Sequence, residues 1–161
     1  IGDCVMAFWG APLENLQHAV LCVRAAIDAQ RAIQELNQRR LAENVSLETE
    51  NITRLAGGLP PKPPLRALQL GTGINTGLVT VGLMGSEKHQ YSYTVFGREV
   101  NVASRLEGVS GSGRIIISET THRHLLRDDP GLAATCVELP PVTVKGIQDA
   151  VRIYEVPWQN K

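Results

Sequence analysis

Apolar residues fill positions 1–10 (IGDCVMAFWG) almost without a break, up to Gly10 and Pro12. That run predicts a short buried strand carrying one charge, Asp3. From Leu13 the spacing changes. Leu16, Val20, Val23, Ile27, Ile33 and Leu36 recur at helical intervals, while Arg24, Asp28, Arg31 and Glu35 fall on other faces. A helix is predicted over residues 13–40. Residues 41–66 turn polar and end in Gly57-Gly58-Leu59-Pro60-Pro61-Lys62-Pro63-Pro64. Such a proline cluster cannot continue a helix or join a central strand. The stretch reads as an exposed loop insert, with room for a frayed helical extension before it.

The remainder alternates short strands and helices. Residues 67–83 predict a strand, a turn near Asn75-Thr76-Gly77 and a second strand, 78–83 (LVTVGL). A polar turn at 85–90 leads to a strand over Tyr91 to Phe96. Glu99 to Val109 predict a helix with Val100, Ala103 and Leu106 on one side. Arg114 to Ile117 read as a strand, and Ser118 as the N-cap of a helix running to Leu126. Val137 to Val144 and Val151 to Val156 are the last strands, joined through a turn at Gly146 to Asp149. No internal repeat is visible. The order β-α-β-β-α-β-α-β-β predicts an α+β sandwich, one mainly antiparallel sheet with helices packed on it.

Composition narrows the function classes. The 161 residues suit one domain, and sixteen basic residues balance sixteen acidic ones. Nucleic-acid binders carry a basic excess or stripe, so no nucleic-acid partner is expected. Aromatic residues are only 4% of the chain, too few for a stacking platform. No apolar run approaches the roughly 18 residues of a membrane helix. The chain opens without Met or a basic leader, which leads us to expect that it begins inside a domain. Cys4, Cys22 and Cys136 form no CxxC pair, which disfavours a zinc site and a disulfide framework and favours a reducing cytoplasm.

Generic motifs mostly fail. Gly71 to Gly77 is GxGxxxG and leads into a strand, whereas a dinucleotide fingerprint opens a helix. No GK[ST] phosphate loop occurs. His122 and His124 lie two apart with no partner at ligand spacing and read as structural. Asp3 is either a metal ligand or a strand-end turn residue; a charge in an apolar strand is costly unless paired or metal-bound. Asn101 and Arg105 are four apart on one helical face, distinct from the apolar one. Arginine offers a planar fork for phosphate oxygens, and asparagine can orient a hydroxyl, but a plain solvated face has the same pattern. Lys145, at a strand end before Gly146, is by itself an ordinary solvated lysine.

Taken together these segments resemble the catalytic domain of class III adenylate/guanylate cyclases. Residues 1–10 resemble its metal-aspartate strand. Gly73-Ile74-Asn75-Thr76-Gly77 with Val81-Gly82 resembles its central hairpin. Tyr93-Thr94-Val95-Phe96-Gly97 followed by 101–107 (NVASRLE) resembles the segment of base-recognition and transition-state residues. Residues 116–120 (IISET) and Val144-Lys145-Gly146 continue the match, and only the proline-rich insert stands outside it.

The resemblance implies a ferredoxin-like cyclase fold of βαββαβ type. It also implies a reaction: closure of ATP into 3′,5′-cyclic AMP with release of pyrophosphate, in signal transduction, assisted by two divalent ions (Mg or Mn). On that reading Asp3 is the second of two metal aspartates, and Thr94 contacts the adenine edge. Asn101 orients the ribose, Arg105 stabilises charge on the α-phosphate, and Lys145 binds the terminal phosphates. Two catalytic domains would pair head to tail as a homodimer with sites at the interface. An upstream sensor or regulatory domain is expected, in a cytoplasmic setting, whether in a larger or a membrane-anchored protein. The family's first strand, with its metal aspartate, and its adenine-selecting lysine would precede Ile1. The 161-residue chain alone is therefore expected to be inactive. Arg98-Glu99 departs from the Asp-Ala of many relatives.

Overall fold

The structure, a computed structural model, describes residues 3–86, 89–143 and 150–159. Its elements are helix α1 (His18–Ala56), strands β1 (Thr72–Ile74), β2 (Thr80–Ser86) and β3 (His89–Phe96), helix α2 (Arg98–Ser110), strand β4 (Ile115–Ser118), helices α3 (Glu119–Asp128) and α4 (Pro130–Thr135), and strands β5 (Val137–Val142) and β6 (Val151–Val156).

Strand β4 is the centre of the molecule. Ile115, Ile116 and Ile117 are fully buried, which accounts for their unbroken apolar run, because a strand covered on both faces has no polar side. Ile115 and Ile117 join Val20, Val23 and Ile27 of α1 and Leu125 of α3. Ile116 packs with Val102 and Leu106 of α2 and with Ile153. The main sheet runs β1-β4-β6-β5, parallel between β1 and β4 and antiparallel elsewhere. Strands β2 and β3 form a separate antiparallel hairpin, with Thr94 opposite Gly82. The α+β class stands, but the single sheet expected from the sequence is divided in two.

One glycine decides how close α2 comes. A Cβ on Gly73 would collide with the α2 backbone at Ala103, Leu106 and Glu107, so the helix lies on the strand backbone itself. Helix α3 starts as the sequence indicates: the Ser118 hydroxyl accepts the Thr121 N–H. The short α4 was not anticipated. Asp129 caps it, accepting from Leu132 N–H at 3.1 Å, with Pro130 at its first position. Arg24 of α1 reaches the same carboxylate at 2.7 Å and ties the two helices.

Three expectations change. Residues 4–9 form no strand, since a strand exists only through a ladder and this segment has no ladder partner among the described residues. Phe8 instead rests against Tyr93 of the hairpin, with ring centres 5.9 Å apart. Helix α1 starts later than Leu13 and runs on to Ala56, so residues 41–56 are helix rather than loop. The strand expected from residue 67 shortens to Thr72–Ile74.

The reason lies in a row of side-chain amides. Asn37, Asn44 and Asn51 recur every seven residues along α1. Each grips one residue of the returning chain by both its N–H and its C=O: Leu68, Leu65 and Lys62 respectively, at 2.8–2.9 Å. Gln30, one heptad earlier and buried, donates to Leu70 O at 2.7 Å. Seven helical residues advance about 10.5 Å, and three residues of polyproline II about 9.3 Å, so the two repeats stay in step. The prolines that bar residues 60–64 from a sheet thus favour the extended form that the amides hold. Glu50 binds Lys62 as well, and Arg54 donates to Pro60 O at 2.9 Å.

The amides of Lys62, Leu65 and Leu68 are therefore expected to exchange slowly although they lie outside any strand. Asn44→Ala should speed exchange at Leu65 by about tenfold or more and leave Ile116 unchanged, because the arm opens locally. Fast exchange at all three amides in the wild-type protein would contradict the amide row.

Candidate functional site

Helix α2 presents two faces. Val102 and Leu106 are buried against β4 and β6. Asn101 and Arg105, one turn apart, are exposed, and their side chains make no hydrogen bond or ion pair among the described residues. An arginine fork and a carboxamide left unengaged side by side are free to meet an anionic, hydroxyl-bearing ligand. Thr94 is half-buried on β3, four residues before α2 begins. Asp3 is exposed in a turn, away from any ladder. Lys145 lies outside the described residues, as does the expected turn at Gly146 to Asp149.

A separate cleft of about 550 Å³ lies between residues 6–11, the start of α1, the turn after β1 and the inner side of α2. Its lining is mainly apolar, with Phe8, Trp9, Ile74 and Val95, and with His18 and His124 at one end. The two imidazoles stand 5.0 Å apart between ring centres. Burial, then Arg127 and His18 nearby, hold His124 below the ordinary histidine range. None of Asp3, Thr94, Asn101 and Arg105 lines this cleft. The cleft is lined instead by neighbours of these residues: Val95, and Val100 and Ala103 on the inner side of α2.

The root of α2 holds a polar cluster that sequence reading did not find. Asn75, just after β1, donates to the Glu99 carboxylate at 2.8 Å and to the Glu99 carbonyl at 3.0 Å. Thr120 donates to the Asn75 carbonyl oxygen at 3.2 Å, and Thr76 and Thr121 share a hydrogen bond at 3.0 Å. The only sequence signal was the unusual Arg98-Glu99 pair, and nothing in it points to a partner 24 positions upstream.

As to metals, no group of three or more His, Cys, Asp or Glu side chains that could hold an ion occurs among the described residues. Asp3 is a single exposed carboxylate there, and by itself does not complete a cage. No described helix is long and apolar enough to cross a membrane.

The family profile described as adenylate and guanylate cyclase catalytic domain matches residues 1–156. Adenylate cyclase 1 of Rhizobium meliloti (strain 1021) is 37% identical over 109 residues, covering 68% of this chain and 13% of that protein. The adenylate cyclase of Anabaena cylindrica is 32% identical over 158 residues, covering 97% of this chain and 27% of that protein. The chain thus spans well under a third of either relative. Among solved structures, the adenylyl cyclase CyaB from P. aeruginosa superposes with a TM-score of 0.71 at 31% identity, covering 98% of this chain and 68% of that one. The guanylyl cyclase Cya2 gives 0.62 at 33% identity, with 92% and 62% covered.

Two thiols in and near the core report on its integrity. Burial pushes Cys22, which lines the cleft, up to about 12, and Cys136 up to about 11. Both stay protonated near neutral pH, and the thiolate is the reactive form. Iodoacetamide at pH 8 should therefore modify them at least about tenfold more slowly in the native protein than in guanidinium. Equal rates by mass mapping would show that this packing is absent in solution.

Proposed function

Because the chain belongs to the adenylate and guanylate cyclase catalytic domain family, we propose that it is the larger part of a nucleotide cyclase domain that turns ATP into 3′,5′-cyclic AMP and pyrophosphate. The observation that carries this reading is the unengaged Asn101–Arg105 pair on the exposed face of α2, inside the matched region.

In the proposed reaction the ribose 3′-oxygen attacks the α-phosphorus, and the bond to the β-phosphate oxygen breaks, so pyrophosphate departs. Charge grows on the α-phosphoryl oxygens as this happens. The Arg105 guanidinium donates hydrogen bonds to those oxygens, where a fixed donor counts most. Asn101, one turn earlier, hydrogen-bonds the ribose and aims its hydroxyl. Thr94 meets the adenine edge, because its hydroxyl can both donate and accept. Lys145 is assigned to the terminal phosphates. Two divalent ions, Mg or Mn, would neutralise the triphosphate when bound. Asp3 is proposed as one ligand, the others coming from the nucleotide and from residues beyond those described.

The partner is proposed to be a second copy of the domain, so that Asp3 of one chain serves the α2 face of the other. Regulation through a sensor domain, and a cytoplasmic setting, belong to the same reading. The similarity to the Anabaena cylindrica adenylate cyclase along 97% of the chain supports ATP as the substrate.

In the complete protein, kcat/KM is expected to be higher for ATP than for GTP, and a preference for GTP would remove the ATP assignment. Arg105→Ala should lower kcat by about a hundredfold to a thousandfold with a smaller change in KM. Arg105→Lys should recover only part of the loss, since a point charge does not reproduce a planar fork. Unchanged kcat in Arg105→Ala would take the transition-state role from this residue.

A further inference from the structure

The N-terminus of α2 lacks the usual anchor. Its N-cap is Gly97, which has no side chain to offer, whereas α3 is capped by Ser118 and α4 by Asp129. A glycine N-cap offers no side-chain acceptor to the unpaired N–H groups of the first turn. Yet Asn101 sits only four residues after that glycine, on the first turn. A ribose-orienting side chain needs a fixed helix start, so something else must hold it.

Asn75 fills that need. Its amide nitrogen donates twice into Glu99, at 2.8 Å to the carboxylate and at 3.0 Å to the main-chain carbonyl. One side chain thus fixes both the backbone and the side chain of the second helical residue. Thr120, at the start of α3, orients the same carboxamide from the other side at 3.2 Å. The end of β1, the start of α2 and the start of α3 therefore meet in one amide group. The space is shaped for it: a Cβ on Gly77 would lie 2.6 Å from Glu99 Cγ, so only glycine there leaves room for the clamped carboxylate. The negative charge of Glu99 also suits the N-terminal end of the helix dipole. Asn75, Thr76, Glu99 and Val100 all lie along the cleft, which places the clamp on the inner side of α2, behind the exposed face of Asn101 and Arg105.

We propose that Asn75 and Glu99 are positioning residues for the cyclisation: their clamp sets where Asn101 and Arg105 stand, without touching the nucleotide. The proposal rests on the cyclase reading above. Displacing a reacting group by about 1 Å can cost on the order of a hundredfold in rate, so the clamp should act on turnover more than on nucleotide affinity.

The test uses the full-length protein and steady-state kinetics with ATP and Mg²⁺ or Mn²⁺, alongside thermal unfolding. Asn75→Ala and Glu99→Ala should each lower kcat by about tenfold to a hundredfold, with KM changed less than about threefold. The double variant should be no worse than the poorer single one, because the residues act as a pair. Glu99→Gln keeps an acceptor and the side-chain length, and should recover to within about threefold of wild type. Gly77→Ala, which leaves both partners present but pushes Glu99 aside, should reproduce the loss of kcat. It is the reserve should Asn75→Ala fail to fold. Wild-type kcat in the folded single variants, or a kcat loss that only tracks the unfolded fraction, would overturn the clamp while leaving the cyclase reading intact. A wild-type protein that forms no cyclic nucleotide from ATP or GTP would instead overturn that reading, and the clamp's role with it.

Discussion

Helix α2 lies against bare strand backbone at Gly73, and this close approach sets the geometry of everything proposed for the chain. With no Cβ in the way, the helix backbone at Ala103 to Glu107 sits directly on β1. Val102 and Leu106 then reach Ile116 of the central strand. A helix held this tightly through its inner face presents its outer face in a fixed orientation. Asn101 and Arg105 are on that outer face, and their exposure is a consequence of how the opposite side is buried. The Asn75–Glu99 clamp acts at the one end that the apolar contact does not secure.

A different part of the molecule shows the same economy with polar groups. Gln30 is the last fully buried residue of α1. Three asparagines and one glutamine in heptad register take over, holding a proline-rich chain along the helix by its backbone. Among the described residues no buried side-chain nitrogen or oxygen lacks a partner. The chain thus relies on carboxamides in two places: Asn37, Asn44 and Asn51 each answer both a donor and an acceptor, and Asn75 holds two acceptors at once.

What could be read from the sequence follows from the range of the interactions involved. Helix α2, strand β4, the Ser118 cap and strand β6 were legible, because periodicity and capping are local signals. The helical face of Asn101 and Arg105 was legible for the same reason. The end of α1 was not: residues 41–56 are polar, and the chain that Asn44 and Asn51 hold against them returns 21 and 11 positions later. The strand expected over residues 1–10 is absent from their described part for the converse reason, since apolar composition says nothing of whether a ladder partner is present. Asn75 and Glu99 escaped notice because their pairing spans 24 positions and follows no periodic rule. Asp129-Pro130, an N-cap followed by a helix-starting proline, is the local signal for α4.

The central claim is that the exposed face of α2 in one chain is completed by Asp3 of a second. The described chain joins Asp3 to neither Asn101 nor Arg105 by any hydrogen bond or ion pair. The most direct measurement mixes two full-length variants, Asp3→Ala and Arg105→Ala, each expected to be inactive, under conditions that allow subunits to exchange. A mixed dimer would hold one doubly damaged site and one intact site, so activity should return to about half of wild type per mixed dimer, as a two-fold interface requires. No recovery in a mixture shown by mass to contain heterodimers would contradict the shared site and return Asp3 to the role of a turn residue.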